Sequence, residues 1–227
     1  MPLPDFLDDA DIIVATDEAG LGAWAGPLVV SVVAAPRDWV PRVTILTDSK
    51  KMTDAERRLA ARAIQDDDCI FWATSFADSK EVDEGNVYRV NVRMHTELVA
   101  TGLQRAAIRF PGKRAVAVCD GTMKIPGARS LPKADSIVLA CSAASVLSKV
   151  ARDTVMVEAA KTYPGYFFER NKGYGGGASH AHTIALAKLG PCPIHRQSFE
   201  PISRLGQKIK VDIFALLDEA AKKISTG

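Results

Sequence analysis

Hydrophobic positions along the chain fall into short β-type runs and longer helical patterns. Ile12-Ile13-Val14-Ala15 is a compact apolar run that leads into Asp17 and Glu18 and then Gly20 and Gly22, which reads as a buried strand closed by a glycine turn. LVVSVVAA (Leu28 to Ala35), ended by Pro36, is β-branched and pairs with it as the first hairpin of a sheet. Thr53-x-x-Glu56 is a capping box and predicts a helix from about Asp54 to Gln65. CIFWATSF (Cys69 to Phe76) reads as a third strand. Ser79 to Ile108 is a long helical pattern whose continuity Gly85 and Gly102 weaken. RAVAVC (Arg114 to Cys119) is a fourth strand and ends on Asp120. An Ala/Ser-rich helix follows, from about Ala140 to Thr162, stopped by Pro164. The glycine-rich loop NKGYGGGASH then leads to a helix ending near Leu189, with Gly190 after it, and Val211 to Lys223 reads as a terminal amphipathic helix. A strand meander followed by strands alternating with helices predicts an α/β domain built on a mixed sheet.

The chain has 227 residues, 47% of them hydrophobic and 25% charged, enough for one sizeable core with an appendage. A net charge of +2 neither demands nor excludes a polyanionic partner. No apolar run approaches the roughly 18 residues of a membrane span, and the aspartate-rich start MPLPDFLDDAD lacks the basic region of a secretory signal. Cys69, Cys119, Cys141 and Cys192 are scattered without a Cys-x-x-Cys pair, which points to reduced thiols in a cytoplasmic protein.

The chemistry concentrates in carboxylates at strand ends. Asp17, Asp120 and Asp135 each lie at or beside the end of a predicted strand, and Glu18 adjoins the first. If these strands are neighbours, the acids converge, and their mutual repulsion needs a cation to offset it. Hard oxygen donors without His or Cys suit Mg²⁺ or Mn²⁺. Two such ions about 4 Å apart would activate a water and stabilise the leaving oxygen of a phosphodiester. Because neighbouring side chains on a strand point to opposite faces, Asp17 and Glu18 share an ion only if the strand ends or bulges there. Asp135 has a competing reading as a partner of Lys133. His180 and His182 stand two apart, which on a helix does not place them on one face. GYGGG lacks the Lys-Ser/Thr of a P-loop. Ser142, Ser145 and Ser148 read as small residues that let a helix pack closely.

DEAGLGAWAGP (Asp17 to Pro27), DSKKMT (Asp48 to Thr53), CDG (Cys119 to Gly121), KADSIVLACSAASVLSKVARD (Lys133 to Asp153) and NKGYGGGASHAHTIALAKLGPCPIHRQSFEP (Asn171 to Pro201) occur in this order. Together they resemble bacterial ribonuclease HII, the type 2 ribonuclease H, over nearly the whole stretch from Asp11 to Pro201. The resemblance implies a ribonuclease H-like mixed sheet flanked by helices, with a catalytic domain over 11–201 and a C-terminal helical appendage, 202–227, packed on it. It implies a two-ion Mg²⁺ or Mn²⁺ site on Asp17, Glu18, Asp120 and Asp135. It also implies cleavage of the RNA strand of RNA/DNA hybrids, and nicking of duplex DNA 5′ of an embedded ribonucleotide to leave a 3′-hydroxyl. A monomeric cytoplasmic protein, without a membrane partner, is expected.

A ribonucleotide-specific enzyme must sense the 2′-hydroxyl. The backbone of Gly20, Leu21 and Gly22 is suited to approach it closely. The resemblance assigns Tyr174 to stacking on the following deoxyribose. Ser49, Lys50, Lys51 and Lys172 are candidate phosphate contacts, and Asn86 falls where the family has an asparagine that reaches the nucleic acid. The resemblance also gives His182 and His195 a role in stabilising the C-terminal region. Leu21 stands where the family usually has arginine, which removes a charge-assisted phosphate contact. Ala23-Trp24 replaces the usual Pro-Leu, and Trp24 is expected to pack into the core. Leu21 and Trp24 leave room for a nuclease of the same fold with a drifted substrate preference; a hybrid-binding protein with little turnover is a separate alternative, against which the four intact acids argue.

Overall fold

The computed structural model describes residues 3–42 and 52–208. The elements in chain order are β1 (Ile12–Ala19), β2 (Leu28–Pro36), α1 (Asp54–Gln65), β3 (Phe71–Ala77), α2 (Ser79–Gly85), α3 (Val87–Arg109), β4 (Ala115–Asp120), β5 (Arg129–Leu131), α4 (Leu139–Thr162), α5 (Phe168–Asn171), α6 (Ala181–Leu189) and α7 (Ile202–Lys208). The helix expected over 211–223 lies outside the described residues.

Contacts group the chain into two compact units. The first gathers described residues of Met1–Leu21, Leu28–Ala77 and Val87–Arg152, and the second those of Gly22–Pro27, Asp78–Asn86 and Asp153–Gly227. In the first unit the five strands form one sheet in the order β3-β2-β1-β4-β5. The β1–β2 and β2–β3 pairs are antiparallel, and β1–β4 and β4–β5 are parallel. The mixed sheet of the sequence reading is therefore observed, with β5 as an additional three-residue edge strand.

Strand alternation sorts the two faces. Ile13 and Ala15 of β1, Val33 and Ala35 of β2 and Val118 of β4 join Ala60, Ala61 and Ile64 of α1 and a run of α4 residues, Ala140 to Leu147, in one apolar core. On the opposite face, Val14 and Val32 lie under Gly102 of α3, where a Cβ would come within 2.5 Å of Val14 Cγ1. Gly102 therefore stays inside the helix, because its missing side chain lets α3 sit close on the sheet. The helical pattern from Ser79 breaks at Asn86, whose φ of 65° separates α2 from α3. The Thr53–Glu56 capping box forms as the spacing predicts, with both reciprocal bonds present.

The second unit has its own core of Ala25, Met156, Tyr166, Phe168, Ala185 and Cys192. Tyr166 and Phe168 stack at 5.3 Å, and the Tyr166 hydroxyl donates to the Gly190 carbonyl at 2.6 Å. Among the described residues no helix is long and apolar enough to cross a membrane.

Candidate metal centre

The β1 ladder is continuous through the acids: Asp17 pairs with Ser31, Glu18 with Val30 and Ala19 with Val29. On the β2 side the pairing runs through the doublet without a bulge, so Asp17 and Glu18 leave on opposite faces, while pairing with β4 stops at Thr16 and β1 ends at Ala19, one residue past Glu18. Asp17 follows Ile13 and Ala15 onto the α4 side and is 6% exposed. Glu18 follows Val14 and Thr16 onto the α3 side, where its Oε2 lies 3.2 Å from His95 Nε2.

Asp120 closes β4, the parallel neighbour of β1, and so reaches the same sheet edge as Asp17. Asp135 sits in the single 3-10 turn Ala134–Ser136, entered through Lys133 in a left-handed conformation. The Ala134 N–H donates to Asp120 Oδ1 at 2.6 Å, which ties that turn to the end of β4. The result is a triad. Asp17, Asp120 and Asp135 each offer a carboxylate oxygen, and these oxygens all lie within 4.8 Å of one another.

Electrostatics make this triad costly by itself. Burial pushes the Asp17 carboxyl well above the ordinary carboxylate value, and the charges of Glu18 and Asp120 push it further. Hydrogen bonds from the Ser145 hydroxyl and the Glu18 N–H, the latter at 2.8 Å, offset part of this. Asp120 is likewise raised, first by burial and then by the neighbouring charge of Asp135, against N–H donors from Ala134 and Gly121. The charges that raise both groups are those of other acids, so a cation at their focus would remove the repulsion. The donor set selects hard ions. Burial pushes the Cys119 thiol up to about 11, and its sulfur, bonded to Thr16 on the α3 face, is not among the clustered ligand atoms. All-oxygen donors without imidazole or thiolate fit Mg²⁺ or Mn²⁺ better than zinc.

Two contributors escaped the sequence reading. Ser145, taken for a packing residue, also hydrogen-bonds Asp17. His95 closes NVYRVNVRMH (Asn86 to His95), a stretch more polar and basic than the family's counterpart, to which the sequence assigned no role; it is fully buried beneath Glu18. A further signal was its helical spacing, four residues after Asn91 and beside Val90, Met94 and Leu98 on the buried face of α3.

The candidate substrate residues are placed as follows. Gly20 is buried with φ 96°, Leu21 is half-buried and Gly22 exposed. A Cβ on Gly22 would meet nothing within 4 Å. Asn86 is exposed at the α2–α3 break. Lys172 has φ 52°, and its Nζ donates to the Glu169 carbonyl. Tyr174 is half-buried, and its carbonyl faces His182 Nδ1 at 3.0 Å. Ser49, Lys50 and Lys51 lie outside the described residues.

Trp24 departs from the core position expected of it. It is half-buried and covers the glycine-rich loop, where a Cβ on Gly175 would sit 2.1 Å from its ring. His180 caps the N-terminus of α6, while His182 turns inward. His182 Nε2 meets His195 Nε2 at 3.0 Å, and His195 Nδ1 receives the Cys192 N–H at 2.9 Å.

The sheet order and the acid triad define the class: an α/β protein of ribonuclease H type bearing an oxygen-ligand centre suited to a divalent cation. A model of the ribonuclease HII family matches residues 14–202. The ribonuclease HII of Pelodictyon phaeoclathratiforme is 39% identical over 201 residues, which cover 87% of this chain and 93% of that protein. The ribonuclease HII of Acidothermus cellulolyticus is 37% identical over 215 residues, covering 91% of this chain and 64% of that longer protein. Among solved structures, the PCNA:RNase HII complex from Archaeoglobus fulgidus matches with a TM-score of 0.67 at 22% identity, over 86% of this chain and 97% of the other. Bst-RNase HIII in complex with Mn²⁺ matches with a TM-score of 0.68 at 17% identity, over 89% and 72%. The chain belongs to the ribonuclease HII family.

Proposed function

We propose that this protein is a Mg²⁺- or Mn²⁺-dependent endoribonuclease that cleaves the RNA strand of RNA/DNA hybrids. It also nicks duplex DNA 5′ of embedded ribonucleotides, leaving a 3′-hydroxyl and a 5′-phosphate. The observation that carries this reading is the Asp17–Asp120–Asp135 triad, with Asp17 and Asp135 buried and Asp120 half-buried, on a family-matched sheet.

Asp17, Asp120 and Asp135 would hold the ions, and Glu18, whose longer side chain leaves β1 one residue before the strand ends, would complete ligation. When bound there, a two-ion centre would supply an activated water and stabilise the departing oxygen of the phosphodiester. The chain's own contribution is to keep four acids fixed and partly dry. Ser145, Ala134 N–H and Gly121 N–H hold carboxylate oxygens in place before an ion arrives. The backbone of Gly20, Leu21 and Gly22 reads the 2′-hydroxyl, and Tyr174 stacks on the next deoxyribose. Ser49, Lys50, Lys51, Asn86 and Lys172 contact phosphates, giving register and salt-dependent affinity without sequence preference. The catalytic domain spans 11–201 and the appendage 202–227. The protein acts as a cytoplasmic monomer, a reducing setting that its four free cysteines suit.

Three labelled duplexes test the reading with Mg²⁺ or Mn²⁺: a long RNA/DNA hybrid, DNA carrying one ribonucleotide, and all-DNA. Cutting of the first two and sparing of the third is expected. Comparable cutting of all-DNA would replace it with a nuclease of drifted preference, the alternative that Leu21 favours. Tight hybrid binding without cleavage would mark a binding protein.

A further inference from the structure

His95 is 0% exposed, and both of its ring nitrogens are engaged. Nδ1 lies 2.8 Å from Thr16 Oγ1, and Nε2 lies 3.2 Å from Glu18 Oε2. Thr16 Oγ1 is in turn 2.9 Å from Cys119 Sγ. Thr16 and Glu18 are alternate residues of β1, and Thr16 is register partner to Cys119 on β4, so all three face α3. The triad of aspartates lies on the other side of the same strand. A carboxylate oxygen accepts, so a hydrogen bond across this contact places the hydrogen on Nε2. With Nε2–H committed to Oε2 and Nδ1 to Thr16, the imidazole is not itself a ligand.

We propose that His95 is a positioning residue for the metal centre: its Nε2–H holds Glu18 Oε2 and leaves Oε1 as the oxygen offered to a divalent ion. The inference rests on the reading of Glu18 as a metal ligand. The physical need is specific to this residue. Glu18 is the longest of the four acid side chains, with 20% side-chain exposure. It also leaves the strand on the face away from the aspartates. Pinned by this hydrogen bond, it would meet the ion without first being ordered. Thr16, itself fully buried, fixes the plane of the imidazole and so the direction of Nε2–H.

The test is a Mn²⁺ titration of the metal-free protein by calorimetry, without nucleic acid. His95→Leu removes the donor at similar volume, and His95→Gln keeps an N–H at comparable reach. His95→Leu should need at least tenfold more Mn²⁺ for half-saturation, with His95→Gln recovering most of the loss. Cleavage by His95→Leu should fall more at limiting than at saturating Mn²⁺. Long-range ¹H–¹⁵N spectra of the native protein should show His95 protonated at Nε2 and perturbed when Mg²⁺ is added. A folded His95→Leu variant with native Mn²⁺ affinity overturns the proposal, and so does a native His95 without a hydrogen on Nε2. If His95→Leu fails to fold, the spectra decide alone. A native protein that takes up no Mn²⁺ sinks the proposed function, and this inference with it, whereas normal native uptake unaffected by the variant sinks only the role of His95.

Discussion

Asp17→Asn should destroy activity and yet make the metal-free protein more stable. Asp17 is 6% exposed, and its oxygens lie within 4.8 Å of those of Asp120 and Asp135. At an effective dielectric of about 20, two unit charges 4.8 Å apart repel by about 3.5 kcal/mol. Partial protonation of the raised carboxyls already relieves some of this, so the neutral amide should gain about 1–3 kcal/mol at pH 8. For a chain of this size that is a rise in Tm of roughly 3–10 °C. The gain should depend on pH with a definite sign. Asp17 and Asp120 have folded-state pKa values above the ordinary 3.8, so they stabilise the fold fully below that pH. They lose this contribution as pH rises through the higher folded values. The metal-free wild type should therefore weaken toward pH 8, and Asp17→Asn should weaken less. Thermal melts in EDTA at pH 5 and pH 8 read this directly. Saturating Mn²⁺ should reverse the order, because ion binding at about 100 times Kd adds about 2.7 kcal/mol to the wild type alone. Cleavage by the variant should vanish while hybrid binding stays measurable. A variant that is less stable than wild type in EDTA at pH 8, or that still cuts normally, refutes the reasoning.

The buried His182–His195 pair predicts acid sensitivity of opposite sign. Burial, with the neighbouring His182, lowers His195 from 6.5 to about 4. The pair's contribution is thus present above pH 6.5 and lost as pH falls toward 4, by about 3 kcal/mol for His195. Urea denaturation from pH 7 to 4 should show this loss, and a flat profile would contradict it. Gly102→Ala should destabilise by about 1–3 kcal/mol despite alanine's better helix propensity, since the new Cβ would stand 2.5 Å from Val14 Cγ1. A more stable variant would mean that α3 does not sit this close to the sheet. Leu21→Arg should lower KM on a duplex with one embedded ribonucleotide by restoring a phosphate contact, and an unchanged KM would remove Leu21 from substrate binding.

Local chemistry was legible along the chain wherever a short stretch dictates its own conformation. The Thr53–Glu56 box fixed the start of α1, Gly190 followed α6 as its C-cap, and the apolar runs marked β1 to β4. Ordered motifs also named the four acids. The three residues of β5 were too short to show any periodicity.

What the sequence by itself determined was which residues could do the chemistry. Only the tertiary structure decided which face of β1 each acid takes. Unbulged pairing with β2 sends Asp17 toward α4 and Glu18 toward α3, where the chain alone left open a bulge or strand end that would have put them together. The same holds for His95, which meets Glu18 from 77 residues away. Its role arises because Gly102 lets α3 lie close on the sheet, a packing contact that no local pattern of residues encodes.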